Sequence, residues 1–233
     1  SLTCISKFTF KECSSLKQIS IPSSVTTIGE SSFIKCTLLS HITFESPSSL
    51  ALIDDSAFNE CTSLTEISLP SSLTKIGGFA FFLCKSIEYA SIPSSVTSIG
   101  DSAFRVCSSL ARISFSASIT KIGYNTFHDC SSAIQIVIPD SVTEIMDYAF
   151  RCCSSLKQIL LPPFLTKIGI GAFYECSSLL SISIPSSVTE LMDRTFKGCS
   201  SLKRITMPSS IIINEKNVFQ GCNSLVQIIS VES

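Results

Sequence analysis

No stretch of this chain approaches the roughly 20 consecutive apolar residues that a membrane-crossing helix requires, although 45% of its residues are hydrophobic. Nothing in it is expected to insert into a bilayer. Charge is scarce and balanced: 17 Lys and Arg face 18 Asp and Glu for a net charge of −1, with the cations scattered rather than striped. That removes the electrostatic footprint of a nucleic-acid binder, and no nucleic-acid partner is expected. Histidine is rarer still. His41 and His128 are the only two, and they fall at different phases of the pattern described below, so they are not expected to converge. No nucleophile elbow, P-loop or dinucleotide fingerprint is present. The chain therefore reads as a non-enzyme without catalytic residues or cofactor. No signal peptide opens it, and none of Asn59, Asn125, Asn214, Asn217 and Asn223 stands in an Asn-X-Ser/Thr context.

What the chain does have is a period. Cysteines recur at Cys13, Cys36, Cys61, Cys84, Cys107, Cys130, Cys153, Cys176, Cys199 and Cys222, every 23 residues save one interval of 25. Phenylalanine stands three residues before each of them, from Phe10 to Phe219. A fixed period in the twenties means that each unit is one supersecondary element unable to bury its own apolar side, so that stacking the units builds the core. The cysteines and phenylalanines are read as core, and function is sought on the surfaces of the stack.

One unit, from Cys13 to Cys36, shows two internal patterns. Ile19 and Ile21 alternate with polar neighbours ahead of Pro22, which predicts a short strand with one buried face. Val25 to Ile28 is β-branched and predicts a second, shorter strand. Gly29 then turns the chain. Glu30 and its counterparts Asp55, Asp101, Asp147 and Asp193 stand where an N-cap would support a single helical turn running to the cysteine. The expected unit is strand, strand, short helix, which makes the fold an α/β repeat. Asp101, Asp147 and Asp193 share one phase in alternate coils and read as caps rather than as a catalytic pair.

The frame Leu16-x-x-Ile19-x-Ile21-Pro22-x-x-Val25-x-x-Ile28-Gly29, closing on Phe33-x-x-Cys36, resembles the BspA-like, treponemal-type leucine-rich repeats. The likeness covers essentially all 233 residues. It implies one leucine-rich-repeat solenoid domain over 1–233, about ten 23-residue coils long, with a parallel β-sheet on its concave face and short strands and helical turns elsewhere. Departures are local. Two extra residues lie near Glu45-Ser46-Pro47, Ser116 replaces a proline, Ala90 and Ala133 replace larger core residues, and Asn214-Glu215 replaces Ile-Gly, which puts the register near Asn214 in question. The resemblance further implies a cell-surface or secreted adhesin-type module whose partner is a protein, such as a host extracellular-matrix or cell-surface protein.

Twelve cysteines raise the question of disulfides. Equivalent positions in adjacent coils stack about 4.8 Å apart, whereas bridged cysteines need Cβ atoms about 3.8 Å apart. The column is therefore expected to be reduced and buried, as small apolar filler. Cys4 and Cys152 lie outside it and are the candidates for a reactive thiol. No Cys-x-x-Cys pair or Cys/His cluster breaks the frame, so no metal site is expected.

With Ile19 and Ile21 inward, the residues beside them face out. One outward column runs Gln18, His41, Glu66, Tyr89, Arg112, Gln135, Gln158, Ser181, Arg204 and Gln227; the next includes Val137 and Leu160. Tyr89, Arg112, Gln135, Val137, Gln158, Leu160 and Arg204 combine an apolar spot with long polar side chains and are the candidate ligand-binding residues of the concave face. Both ends fall in mid-repeat without a capping sequence, as in a segment of a longer protein. Ser1 and Ser233 share a phase, which gives an alternative reading as a structural spacer that self-associates end to end.

Overall fold

A computed structural model describes residues 2–116 and 118–232. Ser1 and Ser233, whose shared phase underlies the end-to-end reading, lie outside the described residues. The chain winds into a parallel β-solenoid with one repeat per coil. Longer strands line one face, Gln18–Ile21, His41–Phe44, Glu66–Ser68, Tyr89–Ile92, Arg112–Phe115, Gln135–Val137, Gln158–Leu160, Ser181–Ser183, Arg204–Pro208 and Gln227–Val231. They pair in parallel at matching phases, as in Gln18 with His41 and Val137 with Leu160. Two-residue strands form a second face, from Cys4–Ile5 through Thr27–Ile28 and Leu52–Ile53 to Lys167–Ile168. Both strands of the expected unit are present.

The helical turn is not, and this corrects the α/β expectation: among the described residues there is no helix. The arc from Gly29 to Cys36 is a run of overlapping turns. Ser32, Ile34 and Cys36 donate their N–H groups three residues back, to Gly29, Ser31 and Phe33. Ser31, Phe33 and Lys35, between them, donate forward to Asp55, Ala57 and Asn59 of the next coil. An α-helix would need all of these donors within its own turn. Ser31 and Lys35 also take positive φ, 52° and 59°, which no right-handed helix accommodates.

The capping expectation changes with it. Oδ1 of Asp55, Asp101 and Asp147 accepts the backbone N–H of Gly78, Tyr124 and Ile170, each one coil onward, at 2.7, 3.0 and 2.9 Å. These carboxylates tie coil to coil instead of starting a helix. Asp193 accepts from Asn217 Nδ2 at 3.1 Å, and Glu30 pairs with exposed Lys7. The turn glycines serve close approach more than turning: a Cβ on Gly100 would sit 2.3 Å from Gly78 N.

The core is a set of ladders. Ten phenylalanine rings from Phe10 to Phe219 stack with centroids 4.9 to 5.8 Å apart, and those from Phe33 to Phe196 are fully buried. Each cysteine of the 23-residue column from Cys36 to Cys222 donates its S–H to a phenylalanine carbonyl of the preceding coil; Cys107 does so to Phe81 O at 3.2 Å. A thiol is small enough to stack at this spacing and supplies a donor that alanine lacks. Ala90 and Ala133 remain buried. Near Asn214 the register does slip, for Glu190 bridges Ile212 rather than Ile213, its match in the 23-residue frame.

Candidate functional site: the long-strand face

Alternation along each strand decides what this face presents. In Gln135–Val137 and Gln158–Leu160 the central isoleucines Ile136 and Ile159 enter the core, which turns both flanking residues outward. All seven predicted residues are exposed. Val137 and Leu160, at 53% and 48% exposure, are register partners on adjacent strands and form one apolar step.

Two shallow depressions flank that step. Tyr89, Arg112, Gln135 and Val137 line the first together with Ala111, Ser114 and Ile134. Gln158, Leu160 and Arg204 line the second with Leu161, Pro163, Ser183 and Thr206. Because Val137 and Leu160 are neighbours, the two form a continuous surface across six coils. The Tyr89 hydroxyl meets Ser114 Oγ at 3.0 Å, a bond that lowers the phenol below its usual range, and Ser114 continues to Ser91 at 3.3 Å. Arg204 donates from Nε to Gln227 Oε1 at 2.7 Å. These bonds fix the rim side chains and leave the apolar centre open.

Sequence reasoning missed Ile134, 52% exposed beside Gln135, and Phe164, 70% exposed in the loop after Leu160. Ile134 belongs to a third outward column that mixes charged and apolar residues, Lys17, Glu88, Lys157 and Lys203 with Ala111, Leu180 and Val226; an isoleucine in so mixed a column carried no distinct signal.

A second cluster lies on the turn side of the stack. An imidazole nitrogen of His128, a carboxylate oxygen of Asp129 and Cys152 Sγ all lie within 4.8 Å of one another. Cys152 also donates to Glu175 Oε2 at 3.2 Å. The expectation that no Cys/His cluster exists is thereby corrected: local spacing hides it because its members come from successive coils. Burial, reinforced by the bond to Glu175, pushes the Cys152 thiol up to about 12, so the expected reactive thiol is a poor nucleophile as it stands. Burial also lowers His128 below the usual imidazole range, against the pull of Asp129 and with the help of Arg105 and Arg151. Cys4 is exposed as expected, and so is Cys13, the first cysteine of the column. His41 and His128 stay apart, on the strand and turn sides.

Residues 1–111, 43–156 and 120–233 match the family described as the BspA type leucine rich repeat region. Among solved structures, a leucine-rich repeat protein from Bacteroides ovatus is 30% identical with a TM-score of 0.84; the match covers 99% of this chain, which spans 65% of that protein's length. The T. pallidum leucine rich repeat protein is 31% identical with a TM-score of 0.57, over 76% of this chain and 72% of that one. A leucine rich cell surface protein from Faecalibacterium prausnitzii shares the fold at 24% identity and a TM-score of 0.51, over 100% of this chain and 84% of that one. A search of the curated proteins found no match.

Proposed function

This chain belongs to the BspA type leucine-rich repeat family, and from that premise we propose that it is a non-enzymatic adhesin-type module that binds a host extracellular or cell-surface protein through its long-strand face. Repeats of this family generally serve protein interaction, and fold alone does not name the partner. The observation that carries the reading is the apolar step of Val137 and Leu160, exposed between two depressions and rimmed by Tyr89, Arg112, Gln135, Gln158 and Arg204. An apolar centre inside a rim of tyrosine, arginine and amide side chains has the composition of a binding hot spot. A surface or secreted location goes with this role and is supported by the description of the F. prausnitzii relative as a cell surface protein.

The test is capture of host matrix and epithelial-surface proteins by the immobilised chain. Changing Val137 and Leu160 together to aspartate places two carboxylates at the interface centre, where desolvation opposes binding, and capture is expected to fall at least tenfold. Lys75→Asp with Lys121→Asp, exposed on the short-strand face, is expected to leave capture intact. Equal capture by both variants, each folded by circular dichroism, would remove the long-strand face as the site.

A further inference from the structure

We propose that His128, Asp129 and Cys152, with Glu175 as fourth donor, form a binding site for a divalent transition metal of the zinc class. Asp129, Cys152 and Glu175 hold the same position in three successive coils, each with left-handed backbone at φ of 60°, 58° and 58°. Their side chains therefore leave the stack in parallel, one coil spacing apart. The same position carries Leu83 and Val106 in the preceding coils and Gly198 and Gly221 in the following ones. His128 adds an imidazole from the neighbouring position. It is 6% exposed, with Nδ1 3.2 Å from Asn125 Oδ1 and Nε2 3.4 Å from Asp129 Oδ2. Asn125 thus takes the outer-sphere part that orients a ligating imidazole, holding the Nδ1 proton and leaving Nε2 to face the other donors.

The spacing suits a small tetrahedral ion. Metal bonds of about 2.0–2.3 Å place tetrahedral ligand atoms roughly 3.3–3.8 Å apart. The Nε2 to Oδ2 and Sγ to Oε2 separations of 3.4 and 3.2 Å are already there. The widest separation within the His, Asp and Cys group, at most 4.8 Å, closes by about an ångström of side-chain rotation; Glu175, outside that group, meets it through Cys152 and swings in as the fourth donor.

The donor set, one nitrogen, one sulfur and two carboxylates, selects zinc-like ions over calcium or magnesium, which take oxygen alone. The nearby cations sharpen this choice. Arg151 stacks over Tyr174 and Tyr148 at 5.0 and 5.8 Å, and Arg105 over Phe82 at 5.6 Å. Their charge offsets that of the carboxylates, so an ion attracted by charge alone gains little and one bonded by sulfur and nitrogen gains most. On binding, the thiol proton now donated to Glu175 leaves, and the thiolate becomes a ligand. The ion would join three consecutive coils at mid-stack.

Cobalt(II) is the probe, because a cobalt-bound thiolate gives a charge-transfer band and a tetrahedral site gives intense visible bands. The full chain is titrated with Cys4 and Cys13 changed to serine, which removes the exposed thiols. Saturation at one equivalent is expected, with loss of the bands when zinc is added. Cys152→Ser should abolish the charge-transfer band, and His128→Gln should weaken cobalt binding at least tenfold. Zinc should raise the melting temperature of the parent but not of Cys152→Ser. Asp129→Asn, whose asparagine tolerates positive φ, keeps the thiolate band but should weaken cobalt binding at least tenfold, and it tests the site should the serine variant not fold. Absence of saturable binding in the parent, or undiminished binding in a folded variant, would overturn the site.

Discussion

Truncating Phe104 to alanine removes one ring from the middle of an unbroken stack. The ring is fully buried and lies 5.3 Å from Phe81 and 5.7 Å from Phe127, with interplanar angles of 15° and 11°. Phe→Ala in a core costs about 3–5 kcal/mol in transfer and cavity terms. Losing a stacked partner on each side, worth roughly 0.5–1.5 kcal/mol per pair, places this site at the upper end of that range. For a chain of this size each kcal/mol moves the melting temperature by about 2–4 °C, so a drop of roughly 10–20 °C is expected. Stability in such a stack passes from neighbour to neighbour, and the coils on either side of Phe104 should lose cooperativity with each other. Thermal and urea unfolding followed by circular dichroism reads both effects. A shift of a degree or two, with a single unchanged transition, would refute the ladder as the source of cohesion.

Two further outcomes concern the thiols. With a thiol reagent at neutral pH, intact mass should show rapid modification of Cys4 and Cys13 alone, the two exposed cysteines; Cys152 should lag, and the buried column should react only after denaturation. Rapid modification of Cys107 would contradict its burial. Burial raises the column thiols above their ordinary value of 9.0, to about 11 at Cys36 and Cys222 and further inside the stack. The folded chain therefore keeps protons that the unfolded chain releases, so their stabilisation is complete below the ordinary thiol range and is lost as pH climbs through it. The urea midpoint should fall between neutral pH and about pH 10.5, and an unchanged or rising midpoint would show that the thiols are not buried.

The coils, the strands and the inward phenylalanines were legible in the sequence because each follows from a period, 23 along the chain or 2 along a strand. The arc ending at Cys36 was misread because one turn of helix and a run of turns bonded to the next coil place the same residues, Ser32, Phe33 and Cys36, inside. They differ in where the N–H of Ser31 and Lys35 goes, and that depends on a coil not adjacent in sequence. On the long-strand face, alternation sufficed to turn Val137 and Leu160 outward; Ile134 was missed because it precedes the regular strand. The cluster of His128, Asp129, Cys152 and Glu175 stayed hidden for another reason. Metal-site patterns are local, whereas these donors meet only through the 23-residue translation that superimposes Asp129, Cys152 and Glu175. The question about Asn214 was well placed, for the ladder loses a residue of register there.

Where the partner touches the chain is measured most directly with a photo-reactive side chain placed at Gln135 in one variant and at Lys121 in another, each illuminated in host matrix extract. Both residues are exposed, on the long-strand and short-strand faces respectively, so each probe reaches solvent and a difference in cross-linking reports a difference in contact. One dominant cross-linked protein is expected from Gln135, competed by excess unlabelled chain but not by the Val137→Asp, Leu160→Asp variant, and none from Lys121. The same protein cross-linked from Lys121, with nothing from Gln135, would contradict it.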